Sequence, residues 1–328
     1  RGTSMSSGFV SGAAAVALAL QPSLSRGGLQ TALLAGARRE GSYRGSLRWG
    51  ARLDLDGVTR IAARPRSDRR VAAGGSHLLQ VRPDGTVAGW GKAGFIGLGE
   101  TAGDASIIAT PTTLPPVEDA VGVAAVGVSS DVLTRSGEVW VAGQTRYTDA
   151  APVVAYDSFT QIATIPNAVG IVGHGGVAAD RDENVLVIDA DGGVWVSGSN
   201  RHGQLGEGIV EAYSNQFFRI PGLPPVADAD VHGGTAFAVD ASGTLWHWGE
   251  LPFSATPSPI PGDIPPLASV CSDYPEQQDI AAVTADGEAI LIDPISGWWN
   301  TFGGSQPTLR AFSAGPGEGI AGTAYGLI

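Results

Sequence analysis

The sequence predicts a mainly β protein: a β-propeller preceded by a small, mostly helical segment. Three observations predict it. A unit of about fifty residues recurs five times after Val71. Each unit centres on an Asp-Gly or Ser-Gly pair flanked by apolar runs, the pattern of a tight hairpin. The composition is rich in turn formers, with 48 Gly and 21 Pro among 328 residues, while 43% of residues are apolar. That balance suits a turn-rich β fold and argues against disorder.

Charge divides the chain. Residues 1–70 carry twelve Arg against four acids, a net +8, whereas residues 71–328 carry eight basic and twenty-eight acidic residues, a net −20. Such a break marks a domain boundary. The organisation expected is a first unit at 1–63, a basic linker at 64–70 and the repeat domain at 71–328. The acidic second part argues against nucleic-acid binding, which needs a positive surface. Cys271 is the single cysteine, so an intrachain disulfide and a Cys-rich zinc site are excluded. No stretch is long and apolar enough for a membrane span.

In the first unit, a small polar loop at Gly2–Gly8 runs into an Ala-rich segment from Phe9 to Ala15. Alanine has the best helix propensity, so a buried helix is expected there. Gly8 to Leu20, behind Arg1, also has the make-up of a short signal peptide, although a start at Arg rather than Met argues that the true N-terminus lies elsewhere. Ser4 falls at or just before the helix N-terminus, where backbone N–H groups are unpaired and the dipole is positive. That position suits an N-cap, and it equally suits the nucleophile of an acyl-transfer enzyme.

Gly2-Thr3-Ser4-Met5-Ser6-Ser7 resembles the serine signature of the subtilisin-like proteases, with Gly8 where that family commonly has Pro. Gln21–Ser25 then breaks the chain, Leu29–Leu34 restarts a short helix, and Gly50-Ala51-Arg52-Leu53-Asp54 resembles the turn that opens the family's last helix. The resemblance covers residues 1–63 and implies the C-terminal fragment of an α/β subtilisin-like domain. It implies Ser4 as catalytic nucleophile, with the backbone of Gly2 and Thr3 supporting the oxyanion. The family's order along the chain puts the triad Asp and His upstream of Arg1. The expected parent is therefore a secreted or surface-attached serine endopeptidase acting on protein or peptide substrates. This chain alone, lacking a base, is expected to be inactive.

Arg60–Arg70, RIAARPRSDRR, has no apolar periodicity and reads as an exposed connector. The repeats follow. Their turn glycines are Gly85, Gly137, Gly192, Gly243 and Gly287, spaced by 52, 55, 51 and 44 residues. A Trp or aliphatic residue follows each turn, as in Val139-Trp140-Val141, Val194-Trp195-Val196 and Leu245-Trp246-His247-Trp248. Hairpins repeated at this period point to propeller blades. Five are recognisable, with up to seven expected. A sixth start at Phe312-Ser313-Ala314-Gly315 either pairs with an early strand to close the ring or marks a cut chain.

Gly203-Gln204-Leu205-Gly206, Trp90-Gly91, the Asp-Gly turns and His77 resemble the repeat of the regulator of chromosome condensation (RCC1) family. The resemblance implies structural roles for the repeat's Gly, Trp and His residues. It implies a protein or cell-surface partner met through the loops, with 145–166 and 249–266 the most variable. Asp180, Asp182 and Glu183 form an acidic cluster that reads as a solvated loop, since EF-hand spacing is absent. No cofactor or metal site is expected. The alternative to a protease is a non-catalytic propeller that serves as a protein-interaction module.

Overall fold

A computed structural model describes residues 3–20, short pieces between 29 and 58, and residues 69–323. Within that last span, 83, 146–152, 175–182, 209–212, 251–253, 273–279, 286–287, 302–308 and 316–317 lie outside the described residues. The first unit holds helix α1 (Thr3–Leu20) and the two-residue strands β1 (Arg38–Arg39) and β2 (Ala51–Arg52), paired antiparallel. Ala13 and Ala17 on α1 are buried with Val58, and Leu29, Leu33 and Leu53 pack against them. The Ala-rich segment is helical, as its propensity predicts. The small cluster it supports gives no evidence of a subtilisin-like fragment, and that part of the expected fold class is withdrawn.

Five antiparallel four-stranded sheets follow, each in simple sequence order. The first blade is β3 (Val71–Ala73), β4 (His77–Val81), β5 (Val87–Lys92) and β6 (Ile107–Thr113). The second is β7 (Ala120–Val126), β8 (Ser129–Thr134), β9 (Glu138–Thr145) and β10 (Val154–Thr164). The third is β11 (Ala168–His174), β12 (Asn184–Asp189), β13 (Val194–Ser199) and β14 (Tyr213–Arg219). The fourth is β15 (Val226–His232), β16 (Thr235–Asp240), β17 (Leu245–Gly249) and β18 (Ser254–Pro259). The fifth is β19 (Leu267–Cys271), β20 (Ile280–Thr284), β21 (Ala289–Ile292) and β22 (Trp299–Thr301). A two-stranded sheet, β23 (Leu309–Gly315) and β24 (Glu318–Thr323), packs against β19 and β20. It is the sixth start expected from Phe312.

The recognised hairpins are the second and third strands of each blade. Their turns need a backbone that L side chains rarely adopt, and Gly85, Gly137, Gly192 and Gly243 have φ of 82°, 86°, 80° and 83°. The stretch Val71–Val81 holds two strands with a reversal at Gly74-Gly75-Ser76. The outermost strands carried no apolar alternation. Ile107–Thr113 and Ser254–Pro259 include Pro and are half-solvated, as outer edges tolerate.

Each blade's first strand packs on the blade before it: β7 on β3 and β4, β11 on β7, β15 on β11 and β12, β19 on β15 and β16. The core therefore lies between blades, in successive apolar layers. Leu79, Val87, Val123 and Val132 fill the layer between the first and second blades. Val172, Leu186, Val231 and Trp248 fill that between the third and fourth. Burying each such side chain contributes about 1.5–3 kcal/mol.

One device recurs at the hairpin turns. The residue three before the turn Gly caps the turn and reaches the Trp beyond it. Asp240 Oδ1 accepts the N–H of Ser242 (2.7 Å) and Thr244 (3.0 Å), and its Oδ2 accepts Trp246 Nε1–H (3.0 Å). Asp189 does the same for Asp191, Gly193 and Trp195. Thr134 and Thr284 hold the equivalent place, each accepting the N–H of the residue four further on.

Candidate functional site

A buried charged constellation lies on the first strands of blades four and five. In β15 the register against β16 is regular from Asp228 to His232, so Asp228, Asp230 and His232 share one face. Ala229 and Val231 face the other way and are buried. Two adjacent acids on an inner strand need partners, because a buried unpaired charge is costly. The neighbouring blade supplies them. Val270 N–H donates to Asp228 (3.0 Å), and Ser272 donates to Asp230 through both its N–H (2.8 Å) and its hydroxyl (3.1 Å). β19 pairs only with β20 within its sheet, so these donors sit on a free strand edge. The carboxylates finish an edge that would otherwise be unsatisfied.

The third partner comes from outside the repeats. Arg69 Nη1 lies 3.0 Å from Asp230 Oδ1, and Nη2–H donates to the carbonyl of Ala229 (3.4 Å). Arg69 precedes blade one, and its own carbonyl accepts the N–H of Val123 in blade two (3.0 Å). The guanidinium therefore crosses from the first two blades to the fourth. Burial works against its charge, but Asp230 and Asp228, with a smaller contribution from Cys271, outweigh that and hold its pKa above the ordinary value. For Asp228 burial dominates, and its carboxyl rises to about 6 despite Arg69. The rings of His174 and His232, at the ends of β11 and β15, are 4.1 Å apart at a 48° tilt. The two acids can hold a flat cation, and Asp228 can take up a proton near pH 6.

Another buried acid lies between blades two and three. Asp131 accepts a hydrogen bond from Ser129 Oγ (3.3 Å), and burial lifts its carboxyl to about 7. Glu183 lines the same pocket, with Thr145 and Ser197. Glu183 is buried rather than on the solvated loop expected for its cluster, and Asp180 and Asp182 lie outside the described residues.

Thr3 opens α1 and Ser4 is its second residue, so the serine sits in the first helical turn. Gly2 lies outside the described residues. Of the variable loops, 154–164 is the long outer strand β10 and 254–259 is β18. Sequence reasoning missed Arg69, Asp228 and Asp230. The Ala-Asp-Ala-Asp alternation at 227–230 was a signal for the acids. Arg69 gave none, because its value depends on a residue 160 positions away.

No protein-family model matches the chain. Among curated proteins, human E3 ubiquitin-protein ligase HERC2 is 29% identical over 188 residues, 55% of this chain. Its mouse counterpart is 28% identical over the same length. The matched segment spans 4% of each of those proteins. Yeast RCC1 (Prp20), in its crystal structure with Kap60, superposes with a TM-score of 0.60 at 17% identity, covering 77% of this chain and 67% of that one. Prp20p from Saccharomyces cerevisiae gives 0.59 at 16% identity, with 77% and 69% covered. Human WBSCR16 gives 0.57 at 19%, with 74% and 68% covered. The chain thus has a propeller fold like that of yeast RCC1.

These likenesses overturn the serine-endopeptidase expectation. None of these proteins is described as a protease: the curated relatives are E3 ubiquitin-protein ligases, and the solved structures are of yeast RCC1 (Prp20) and human WBSCR16. The physical reason the motif misled is local. Small polar residues also suit the first turn of an Ala-rich helix, where Thr3 and Ser4 lie, so Gly-Thr-Ser-Met-Ser-Ser serves a helix start as well as it would serve catalysis.

Proposed function

We propose that this chain is a non-catalytic protein-interaction module that presents one face of an RCC1-type propeller to a protein partner. The likeness to Prp20 carries the reading, since the solved structures of that protein are described with Kap60 and with binding to Gsp1p and histones. The contact face is the one bearing the turns after each blade's first and third strands, because strand alternation puts those turns together. On it, the blade-five turn between β21 and β22 exposes Ile295 (53%) and Trp298 (64%). That turn is rigid: Asp293 accepts the N–H of Ile295 (2.8 Å) and the hydroxyl of Ser296 (2.7 Å), and Ser296 Oγ accepts the N–H of Trp298 (3.1 Å). A preorganised aromatic anchor loses little entropy on binding.

The test starts with cross-linking of the full chain in extract of its source cells, followed by titration with the purified partner. Saturable binding that weakens when Trp298 is changed to Ala supports the reading. No saturable partner, or affinity untouched by changes across this face, overturns it.

A further inference from the structure

Two features set the β21–β22 turn apart. Ile295 and Trp298 are exposed three positions apart, whereas the other exposed large apolar side chains of the repeat domain, among the described residues, stand singly at Ile107, Val153 and Tyr213. Single exposed apolar residues are ordinary, but a pair on a rigid turn points to a contact. The second feature is charge. No Lys or Arg occurs between Arg219 and Arg310, a span that holds blades four and five and eleven acidic residues. Residues 71–219 carry seven basic residues against sixteen acids, so the imbalance is sharpest around this turn. Asp228, Asp230 and Asp240 are held by hydrogen bonds within the blades, but Glu250, Asp263 and Glu288 are exposed.

Asp263 belongs to the connection between those two blades, and that connection lies against the turn. Trp299 Nε1–H donates to the Asp263 carbonyl (3.2 Å), and a Cβ on Gly262 would lie 2.9 Å from the Gly297 carbonyl oxygen. Within the turn, Asp293 stays ionised. The Ser296 hydroxyl and the Ile295 N–H bond its carboxylate and hold its pKa below the ordinary value. The exposed apolar pair thus sits beside two acids, with no Lys or Arg of these two blades to neutralise them.

We propose that this turn is the docking point for a basic segment of the partner protein, with one cation over the Trp298 ring, aliphatic side chains on Ile295, and further Lys or Arg residues meeting Asp263 and Asp293. As a contact for a partner this site rests on the interaction reading above; what it adds is the partner's chemistry. Charge complementarity selects the occupant. An acidic segment would be repelled by the carboxylates of both blades, and a neutral one would leave them uncompensated. Indole is the best aromatic face for a cation, and a guanidinium also stacks on it.

The experiment titrates the full chain with fluorescein-labelled peptides in which Leu alternates with Arg, with Glu or with Ser, read by fluorescence anisotropy. The Arg–Leu peptide is expected to bind saturably and to weaken as salt is raised. Trp298→Ala is expected to weaken it about tenfold, with part of that loss restored in Trp298→Phe, and Asp263→Lys to weaken it about fivefold. The Glu–Leu and Ser–Leu peptides are expected not to bind. Trp298 and Asp263 are exposed, so these variants are expected to melt with the parent, and Ile295→Ser carries the test if Trp298→Ala does not fold. Arg–Leu binding left unchanged by Trp298→Ala and Asp263→Lys would be non-specific attraction and would overturn the proposal. Equal binding of the Ser–Leu peptide, or no binding of the Arg–Leu peptide, would do the same. A partner protein whose affinity depends on Trp298 but not on salt or on Asp263→Lys would overturn this inference and leave the wider function standing.

Discussion

The Nε2 of His77 in blade one lies 3.0 Å from the backbone oxygen of Ser129 in blade two. A carbonyl can only accept, so Nε2 carries the proton and Nδ1 is the bare nitrogen. The ring is 1% exposed and stands edge-on to Phe95, with centroids 5.7 Å apart. Burial pushes its pKa down to about 4, with the Ser129 bond opposing only in part.

That shift sets an acid limit. The folded state keeps His77 neutral while the unfolded chain protonates below pH 6.5, so stability is lost as pH falls from about 6.5 to about 4. The full loss is about 3 kcal/mol. His77→Gln, which can still donate to Ser129, is expected to be less stable at pH 7 but to lose less between pH 6.5 and 4 in urea titrations. An unchanged pH slope would refute the assignment.

Asp131 behaves in the opposite sense. Its folded pKa of about 7 lies above its unfolded value, so its contribution is present at low pH and is lost as pH rises through 7. Asp131→Asn removes an ionisable group that burial penalises. The variant is expected to be more stable than the parent at pH 8, by up to about 3 kcal/mol, and nearly equal to it at pH 4. Greater stability of the parent at pH 8 would contradict this.

The turn-capping Asp240 ties two backbone donors, the Ser242 hydroxyl (2.7 Å) and the Trp246 indole into one node. Asp240→Ala strands these donors and is expected to cost about 2–3 kcal/mol. Trp246→Phe removes a single indole bond and is expected to cost about 1 kcal/mol. Comparable losses in the two variants would show that packing, not the cap, dominates.

Gly206 closes the Gly-Gln-Leu-Gly loop at φ 71°. A Cβ there would lie 3.0 Å from Ile220 Cγ2 and 3.3 Å from the Trp248 ring. Trp248 is fully buried and donates through Nε1 to the Gln204 carbonyl (2.7 Å), which joins blades three and four. Gly206→Ala is expected to cost about 1–3 kcal/mol from backbone strain and crowding together. A change below half a kcal/mol would show that the loop can shift.

Legibility followed the range of the interactions. Asp-Gly and Ser-Gly turns, with the apolar runs beside them, are local chemistry, and the sequence revealed all five hairpins through them. The cap three residues before each turn Gly was equally local, visible at Asp189 and Asp240, yet unread because Thr134, Thr284 and Arg82 replace the acid in the other blades. The first strands, such as AVGVAAV at 120–126, were hidden by small residues. The outer strands, such as YSNQFFR at 213–219, were hidden by their solvated faces. At the N-terminus the local signal misled, since helix capping and a nucleophile motif use the same residue types.

The sequence by itself determined that the chain is a propeller built on hairpins of about fifty-residue period, because turn φ and strand alternation are properties of a few adjacent residues. Only the tertiary structure decided where the charges meet. Arg69 looked like part of a solvated linker, and nothing in the sequence singled out Asp228 and Asp230. Stacking of the blades brings an arginine from before the first blade against a strand of the fourth. No local pattern encodes that meeting, because it depends on how successive blades stack.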